Sequence, residues 1–579
     1  MFCWIIADSP CWRKIKKMTL DVNVQVQKLL SRFKVVPPTA KIMKSDETTF
    51  KSRHRFKAPL TVGLIGLILL AVATSIMFVH PYDIMFKWKI IFTEGGEIFE
   101  TWRLPPVDLY LRVHLFNITN AEEFLRGEDE KLKVKEVGPY VYREVMTHEN
   151  VTFNENGTVS AIPKHPLEWV PELSNGDHEK DQLTLINIAL LSIADVISKK
   201  SVWQRWGLNV LIKQTKTQPI VKMSPKEFMF GYQSTLMTLG YQFLPTWINF
   251  DKLGLIDRMY HFDGDYETVY TGKNDVTKAG LIDTYCGSTH IPQWEGYCGD
   301  IQYSSDGTKF ESHLDSNRTL KFFRKSLCRA KPIEKVNETV SSGLRGFVYK
   351  FPKNANDNGF YDEKNKCFCR EEPCLPRGLL DVRECYYGFP IALSYPHFLD
   401  GDESLFKDVE GMVPDRTKHE SYFVINPESG LPLDLAVRYQ INMAIGDTSG
   451  VSNSDKFANK IIPMLWTENR LYKLPESLAT RFKMYLTILP WGETAAIGAF
   501  FVLGVTFILL SLHRYRTSKK LDLNWLGENE NRIERKLSVY LPDNKSNMSN
   551  KELEVYYNSL VAPLNQKIDI EHETDEDIE

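Results

Sequence analysis

A charge of one sign is missing from this chain. Its 579 residues carry 71 Lys and Arg against 74 Asp and Glu, a formal net charge of −3, and so leave no electrostatic footprint for nucleic acid. Also missing are G-x-S-x-G, H-E-x-x-H, a Walker loop and G-x-G-x-x-G. None of the common spacings for an activated serine, a zinc hydrolase or a nucleotide cradle therefore points to an enzyme. His397, within Tyr395-Pro396-His397-Phe398, has apolar neighbours and reads as a structural histidine. No nucleophile, base and acid group suggests itself, and no cofactor or metal is implied. Neither an internal repeat nor a linker divides the chain. At 43% hydrophobic and 25% charged residues, the composition excludes a disordered, collagen-like or many-pass membrane protein.

The average conceals two apolar runs. Ala58 to Val79 is 22 residues without a charge; at about 1.5 Å per residue it reaches roughly 33 Å, enough for a hydrocarbon core of about 30 Å. Thr494 to Leu512 is 19 residues, again uncharged. A buried core helix is the rival reading, but such helices rarely run this long without a polar face. Lys51, Arg53, Arg55 and Lys57 precede the first run, and only Lys87 and Lys89 follow it closely. Arg514, Arg516, Lys519 and Lys520 follow the second, with Arg481 and Lys483 before it. Basic residues on the two outer flanks predict cytoplasmic termini and a two-span protein of the plasma membrane, with the endosomal or lysosomal membrane as the alternative. Ala71 and Ala73 resemble a signal-cleavage site, but the run is long and starts deep in the chain, so it reads as an uncleaved anchor. The expected divisions are 1–57 cytoplasmic, 58–79 span, 80–493 ectodomain, 494–512 span and 513–579 cytoplasmic tail.

Five N-x-Ser/Thr acceptors fall between the spans, at Asn117, Asn150, Asn156, Asn317 and Asn337; Asn544 and Asn547 lie in the tail. Of nine cysteines, Cys3 and Cys11 are N-terminal, and Cys286, Cys298, Cys328, Cys367, Cys369, Cys374 and Cys385 cluster in the second half of the ectodomain. Clustering in an oxidising compartment reads as disulfides. Zinc is the rival for the last four, although the usual C-x2-C spacing is missing. Seven is odd, so one thiol is left over or pairs between chains.

Strand patterns dominate the ectodomain. Leu109, Leu111, Val113 and Leu115 alternate with Tyr110, Arg112, His114 and Phe116, a half-buried strand. Lys131 to Val137 and Tyr140 to Val145 read as two strands interrupted at Gly138-Pro139. Tyr422 to Asn426, the turn Pro427-Glu428-Ser429-Gly430 and the alternating apolar set Leu433 to Ile445 read as a hairpin, with Asp434, Arg438, Gln440 and Asn442 on the opposite face. Helical signals concentrate between about 183 and 240. Leu183, Ile186, Leu190, Ile193 and Ile197 have helical spacing, Trp203 to Lys213 looks like a second helix, and Pro225 to Gly240 a third, entered at Ser224-Pro225. Lys199, Lys200, Arg205, Lys213, Lys216, Lys222 and Lys226 lie in this region without an intervening acid. They are either a solvated face or a patch attracting anionic ligands or lipoprotein. Trp203, Trp206 and Phe228 supply apolar surface beside them.

Taken together, Gly138-Pro139-Tyr140-Val141-Tyr142-Arg143, Thr184-Leu185-Ile186-Asn187-Ile188-Ala189, Cys367-Phe368-Cys369, Pro396-His397-Phe398-Leu399, and Pro427 to Gly430 followed by Gln440 and Asn442 resemble the class B scavenger receptor family. Trp102 and Ile462-Pro463-Met464-Leu465-Trp466 agree. The resemblance runs from the first span to the second, and its insect epithelial-membrane-protein and sensory-neuron-membrane-protein branches are the expected place for the chain. It implies a mixed α+β fold: two transmembrane helices flanking a large ectodomain, with an antiparallel β-barrel-like core, a helical apex and an internal hydrophobic tunnel. It implies capture at the apex, with Lys216 nearest the family's basic contact position and Gln214 where some relatives carry a second lysine. It also implies the disulfides Cys298–Cys367, Cys328–Cys385 and Cys369–Cys374, leaving Cys286 unpaired.

The sequence departs from that family in its long N-terminal segment and in an acidic tail with seven acids from Asp569 to Glu579. Tyr557-Asn558-Ser559-Leu560 fits a tyrosine-based sorting signal, with Tyr557 and Leu560 the residues an endocytic adaptor would read. Cys3 and Cys11, near Arg13, Lys14, Lys16 and Lys17, are either acylated or unmodified. The function expected is a cell-surface receptor that binds fatty acids, sterols, carotenoids, phospholipids or lipoprotein particles at the apex and moves hydrophobic cargo to the membrane. The alternatives are a protein-binding endocytic or lysosomal trafficking receptor without lipid transport, and a membrane-anchored enzyme, which would need a titratable cluster that the sequence does not reveal.

Overall fold

The computed structural model describes residues 47–232, 235, 238, 252–386, 388–540 and 551. Cys3, Cys11, Asn544, Asn547, Tyr557, Leu560 and the acidic tail lie outside them. The chain forms two units, one of residues Met1–Ser75 with Gly498–Glu579 and one of Ile76–Ile497. Two helical stretches are long and apolar enough to cross a membrane, Ala58–Ile90 and Glu476–Trp525. The first is two helices, Glu47–Val79 and Pro81–Ile90, broken at His80, whose φ is 45°. Within the first unit, helices Glu47–Val79 and Leu489–Tyr540 approach through small residues. A Cβ on Gly66 would stand 2.8 Å from the Gly504 carbonyl oxygen, and the Ser511 hydroxyl donates to the Pro59 carbonyl at 2.6 Å. Close backbone approach of this kind is how helices gain packing where lipid removes the hydrophobic difference.

The larger unit is built on a twelve-stranded sheet whose main path runs Leu320–Arg324, Arg329–Ser341, Leu344–Lys350, Tyr422–Ile425, Pro432–Ala444, Ile461–Leu471, Leu109–Ile118, Leu132–Glu144 and Val409–Glu410. All its pairings are antiparallel except the last. Three adjacent strands set the geometry. Their register aligns Val437 with Asn469 and Leu111, and Leu435 with Leu471 and Leu109. One residue along, Arg438 lies opposite Glu468, and Glu468 opposite Arg112. Residues paired across strands share a face, so one face carries Leu435, Val437, Asn469 and Leu471, and the other a row of Arg438, Glu468 and Arg112.

That second face is buried as well. Arg438 is 8% exposed, and Gln440 and Asn442 are fully buried. They stay there because they are paired. Arg438 Nη2 meets Glu468 Oε1 at 2.6 Å, and Arg112 Nη1 meets Glu468 Oε2 at 2.8 Å. Gln440 accepts the His397 amide, and Asn442 donates to the Ser394 hydroxyl at 3.0 Å and to the Ala392 carbonyl at 3.2 Å. Buried polar groups persist only when so satisfied.

Three expectations change. Residues 131–145 form one strand, Leu132–Glu144, because the register shift opposite Val113–Leu115 absorbs Gly138-Pro139; Gly138 has φ 125°, a conformation that disfavours any side chain. The segment Leu183–Ile186 is a strand paired with Ile220–Met223, and the helix starts only at Ile188. Asn187 ends the strand by accepting the Leu190 amide at 3.1 Å as an N-cap. The helix at Pro225 ends at Phe230, where Gly231 (φ 104°) turns the chain, and most of the rest of the expected span to Gly240 lies outside the described residues. The 422–445 hairpin forms as strands Tyr422–Ile425 and Pro432–Ala444. Gly430 turns it at φ 73°, where a Cβ would meet the Phe310 carbonyl oxygen at 2.1 Å.

A separate four-stranded sheet orders Thr147–Phe153, Thr158–Lys164, Glu267–Tyr270 and Ile282–Tyr285. Disulfides join Cys298 to Cys367, Cys328 to Cys385 and Cys369 to Cys374, closing 69, 57 and 5 residues. Cys286 is free and exposed. On chain entropy, the 57-residue closure contributes about 4 kcal/mol. Replacing Cys328 and Cys385 together by Ala is expected to lower the unfolding free energy by about that amount, read by denaturant titration.

Candidate functional site

The basic segment is carried by the ribbon Leu183–Ile186/Ile220–Met223. Its first helix, Ile188–Ser198, is apolar nearly all round and buried. The second, Val202–Thr215, starts at a capping box between Ser201 and Gln204 and buries only Leu208 and Ile212. It therefore presents Val202, Trp203, Trp206 and Val210 outward, with Trp203 81% exposed. Lys200, Lys213, Lys216 and Lys222 are exposed, Arg205 is half-buried, and Lys216 caps the helix in the left-handed region. Lys199 and Lys226 are not free charges: Lys199 pairs with Glu371 at 2.8 Å and Lys226 with Glu179 at 2.6 Å. Acids distant in sequence thus trim the patch, and among the described residues no ion pair involves the other five. Of the glycan acceptors, Asn150, Asn156, Asn317 and Asn337 are exposed, while Asn117 is half-buried and accepts the Thr184 amide at 2.8 Å.

The apolar face of the central sheet opens onto a cavity of about 70 Å³ walled by Trp102, Leu109, Met146, Leu435, Leu474 and Phe482 among others. A smaller space of about 10 Å³ lies further along, against Leu327, Leu393, Tyr439 and Ile441. Both have Arg324, Val437 and Asn469 in their walls.

A charged cluster occupies that shared wall. The Glu144 side chain is fully buried. Its Oε1 receives Arg324 Nη2 and, at 2.7 Å, His165 Nδ1; its Oε2 receives Asn469 Nδ2 at 2.9 Å and the Tyr260 hydroxyl at 3.1 Å. Burial alone would raise the Glu144 carboxyl, but the Arg324 charge and the His165 hydrogen bond outweigh it and hold it down at about 2. Burial pushes the Tyr260 hydroxyl upward, with the Glu144 charge adding to the rise. Sequence reading missed these residues because they are scattered from 144 to 469 without any periodic signal.

On the opposite face, a cleft of about 530 Å³ is lined by His114, Glu136, His397, His419 and Trp466. This is a titratable cluster that the sequence did not reveal. His397 Nε2 donates to Glu136 Oε2 at 2.6 Å while its Nδ1 accepts the Val413 amide at 3.0 Å. His419 Nδ1 accepts the Asp415 amide at 3.0 Å. Burial, with His397 alongside, pushes His419 down to about 4. Burial would raise Glu136, but hydrogen bonds from His114, His397 and Trp466 hold it well below the carboxylate range. His397 is 5% exposed, and its ring stacks on His419 at 4.5 Å. Both of its ring nitrogens are engaged, one by Glu136 and the other by the Val413 amide.

A sheet-rich unit with two candidate membrane helices marks a membrane protein. The CD36 family matches residues 64–515, and the chain belongs to that family. It is 27% identical over 510 residues to scavenger receptor class B member 1 of Cricetulus griseus, covering 87% of this chain and 95% of that one. It is 26% identical over 457 residues to protein peste of Drosophila melanogaster, covering 76% and 80%. It is 28% identical over 460 residues to lysosome membrane protein 2 of Homo sapiens, covering 77% and 94%.

Glu144 carries a pH prediction. A carboxyl held at about 2 when folded and near 4.5 when unfolded contributes stability above about pH 4.5, and this is lost as pH falls toward 2. Glu144→Gln strands Arg324 without its anion. It is expected to cost about 3 to 5 kcal/mol at neutral pH and to flatten the acid-unfolding profile between pH 4.5 and 2, measured by circular dichroism.

Proposed function

We propose that this protein is a receptor of the plasma membrane that captures lipid or lipoprotein cargo at its basic helix and passes hydrophobic cargo through the ectodomain interior toward the bilayer. Both termini are cytoplasmic in this reading, the helical cluster is the outer apex, and the protein acts by binding rather than by catalysis. The observation that carries it is the pair of apolar cavities on one sheet face, walled in common by Arg324, Val437 and Asn469. An acyl chain gains about 0.8 kcal/mol per CH2 that leaves water, so an apolar path lets cargo move without re-entering water. The five basic side chains that no acid among the described residues pairs with supply the field for an anionic ligand, whether a fatty-acid carboxylate, a phospholipid or a particle surface. Sterols and carotenoids would use the apolar path alone.

The exposed stripe of Val202, Trp203, Trp206 and Val210 favours a second reading. Aromatic anchors of this kind suit a protein partner, and the protein would then be an endocytic or lysosomal trafficking receptor. Two variants separate the readings. Val437→Trp, which fills the shared wall, is expected to reduce uptake of a fluorescent fatty acid at least about tenfold while leaving surface binding of cargo particles intact. Lys213→Glu with Lys216→Glu is expected to slow association with anionic liposomes, with dissociation less affected, and to make the difference vanish at high salt. Normal lipid uptake by a correctly delivered Val437→Trp protein would refute transport.

The topology has its own test. Peptide mapping of the cell-surface protein is expected to find glycan on one or more of Asn150, Asn156, Asn317 and Asn337, and none on Asn544 or Asn547. Cleavage of the acidic tail by protease added outside intact cells would overturn it.

A further inference from the structure

We propose that His148, Glu267 and Asp306 form a binding site for one divalent transition-metal ion of the zinc type. His148 lies on strand Thr147–Phe153 and Glu267 begins strand Glu267–Tyr270, the two flanking Thr158–Lys164 in the four-stranded sheet. Asp306 follows Ser305, which bridges to Phe322 of the large sheet. The site therefore joins the two sheets. One ligand atom from each residue lies within 4.8 Å of the others; His148 Nε2 is 3.0 Å from Glu267 Oε1 and 3.9 Å from Asp306 Oδ2. An ion with bonds of about 2.0 to 2.2 Å sets its ligand atoms roughly 3 to 3.5 Å apart.

The hydrogen bonds around the ring leave room for a cation there. His148 Nδ1 is 2.9 Å from the Trp102 carbonyl oxygen, which can only accept, so Nδ1 carries a proton. In the neutral ring, Nε2 then directs a lone pair at two carboxylates. A second ring proton would serve Glu267 but not Asp306, because 3.9 Å exceeds hydrogen-bond length. The other Asp306 oxygen already accepts the Thr308 amide at 2.9 Å and hydroxyl at 2.6 Å. One doubly charged ion balances both carboxylates and takes the imidazole lone pair. A ring held through Nδ1–H by a carbonyl is also the usual support of a metal-ligating histidine. Stacking on Trp102 at 3.9 Å fixes the ring plane.

The cleft cluster of Glu136, His397 and His419 lacks this arrangement. There both Nδ1 atoms accept backbone amides, so each neutral ring holds its proton on Nε2, where a metal would have to bind. His148 and Glu267 are 3% and 4% exposed, while Asp306 also lines the 70 Å³ cavity, which leaves an entry side. An imidazole among the ligands favours zinc-like ions over calcium or magnesium, which prefer oxygen alone.

The test uses the full-length protein in detergent, stripped with chelator and titrated with zinc, calcium or magnesium by calorimetry and thermal unfolding. One zinc per chain is expected to bind and raise the unfolding temperature, with calcium and magnesium inert. Glu267→Gln is expected to weaken zinc binding by roughly 100-fold. His148→Lys is the second variant: its ammonium supplies a cation to the carboxylates, so the metal-free protein should stay folded while the zinc response disappears. Absence of stoichiometric zinc binding in the unmodified protein, or an undiminished response in both variants, overturns the site. The first of these outcomes, with His148→Lys as stable as the unmodified protein, assigns the cluster to a proton-held ion pair.

Discussion

The register of three neighbouring strands, Leu109–Ile118, Pro432–Ala444 and Ile461–Leu471, is the constraint on which the other features rest. Because side chains alternate, a slip of one residue would exchange the two faces. Leu435, Val437 and Leu471 would leave the cavities, and the Arg438–Glu468–Arg112 row would enter them. The charged row opposes such a slip: Glu468 takes Arg438 through one oxygen and Arg112 through the other. Moving it would leave buried charges without partners, at a cost of several kcal/mol.

From that register the two sides acquire different chemistry. Leu109 pairs with Glu144 on one side and Leu471 on the other, which brings Glu144 to the cavity face. A single carboxylate there would be prohibitive to bury; Arg324, His165, Tyr260 and Asn469 make it tolerable by filling both its oxygens. In the proposed transport reading this cluster sits across the route, so cargo must pass beside it or displace it. The opposite face, with His114 beside Trp466 and His397 beside His419, is stacked and hydrogen-bonded, and backbone amides place the protons of His397 and His419.

The basic helix shows how tertiary structure edits charge. Along the sequence seven basic residues stand together. Folding brings Glu371 to Lys199 and Glu179 to Lys226, from 172 and 47 residues away. The field that remains is carried by Lys200, Arg205, Lys213, Lys216 and Lys222, beside an apolar stripe with two exposed tryptophans.

The two apolar runs, the strand-rich ectodomain, the 422–445 hairpin and the helix at Val202–Thr215 were legible because length, period-two alternation and helical spacing are local properties. So was the family, through short strings in a fixed order. Other features were decided only by tertiary contact. Leu183–Ile186 has a helical apolar spacing, yet it pairs with Ile220–Met223 because a partner strand and the Asn187 cap outweigh propensity. The burial of Arg438, Gln440 and Asn442 is another such feature, since polarity in a sequence cannot reveal partners such as Glu468, Ser394 and the His397 amide. Glu144 with Arg324, and His148 with Glu267 and Asp306, join residues more than a hundred positions apart. No local pattern encodes such meetings; they exist only once the sheets bring distant strands side by side.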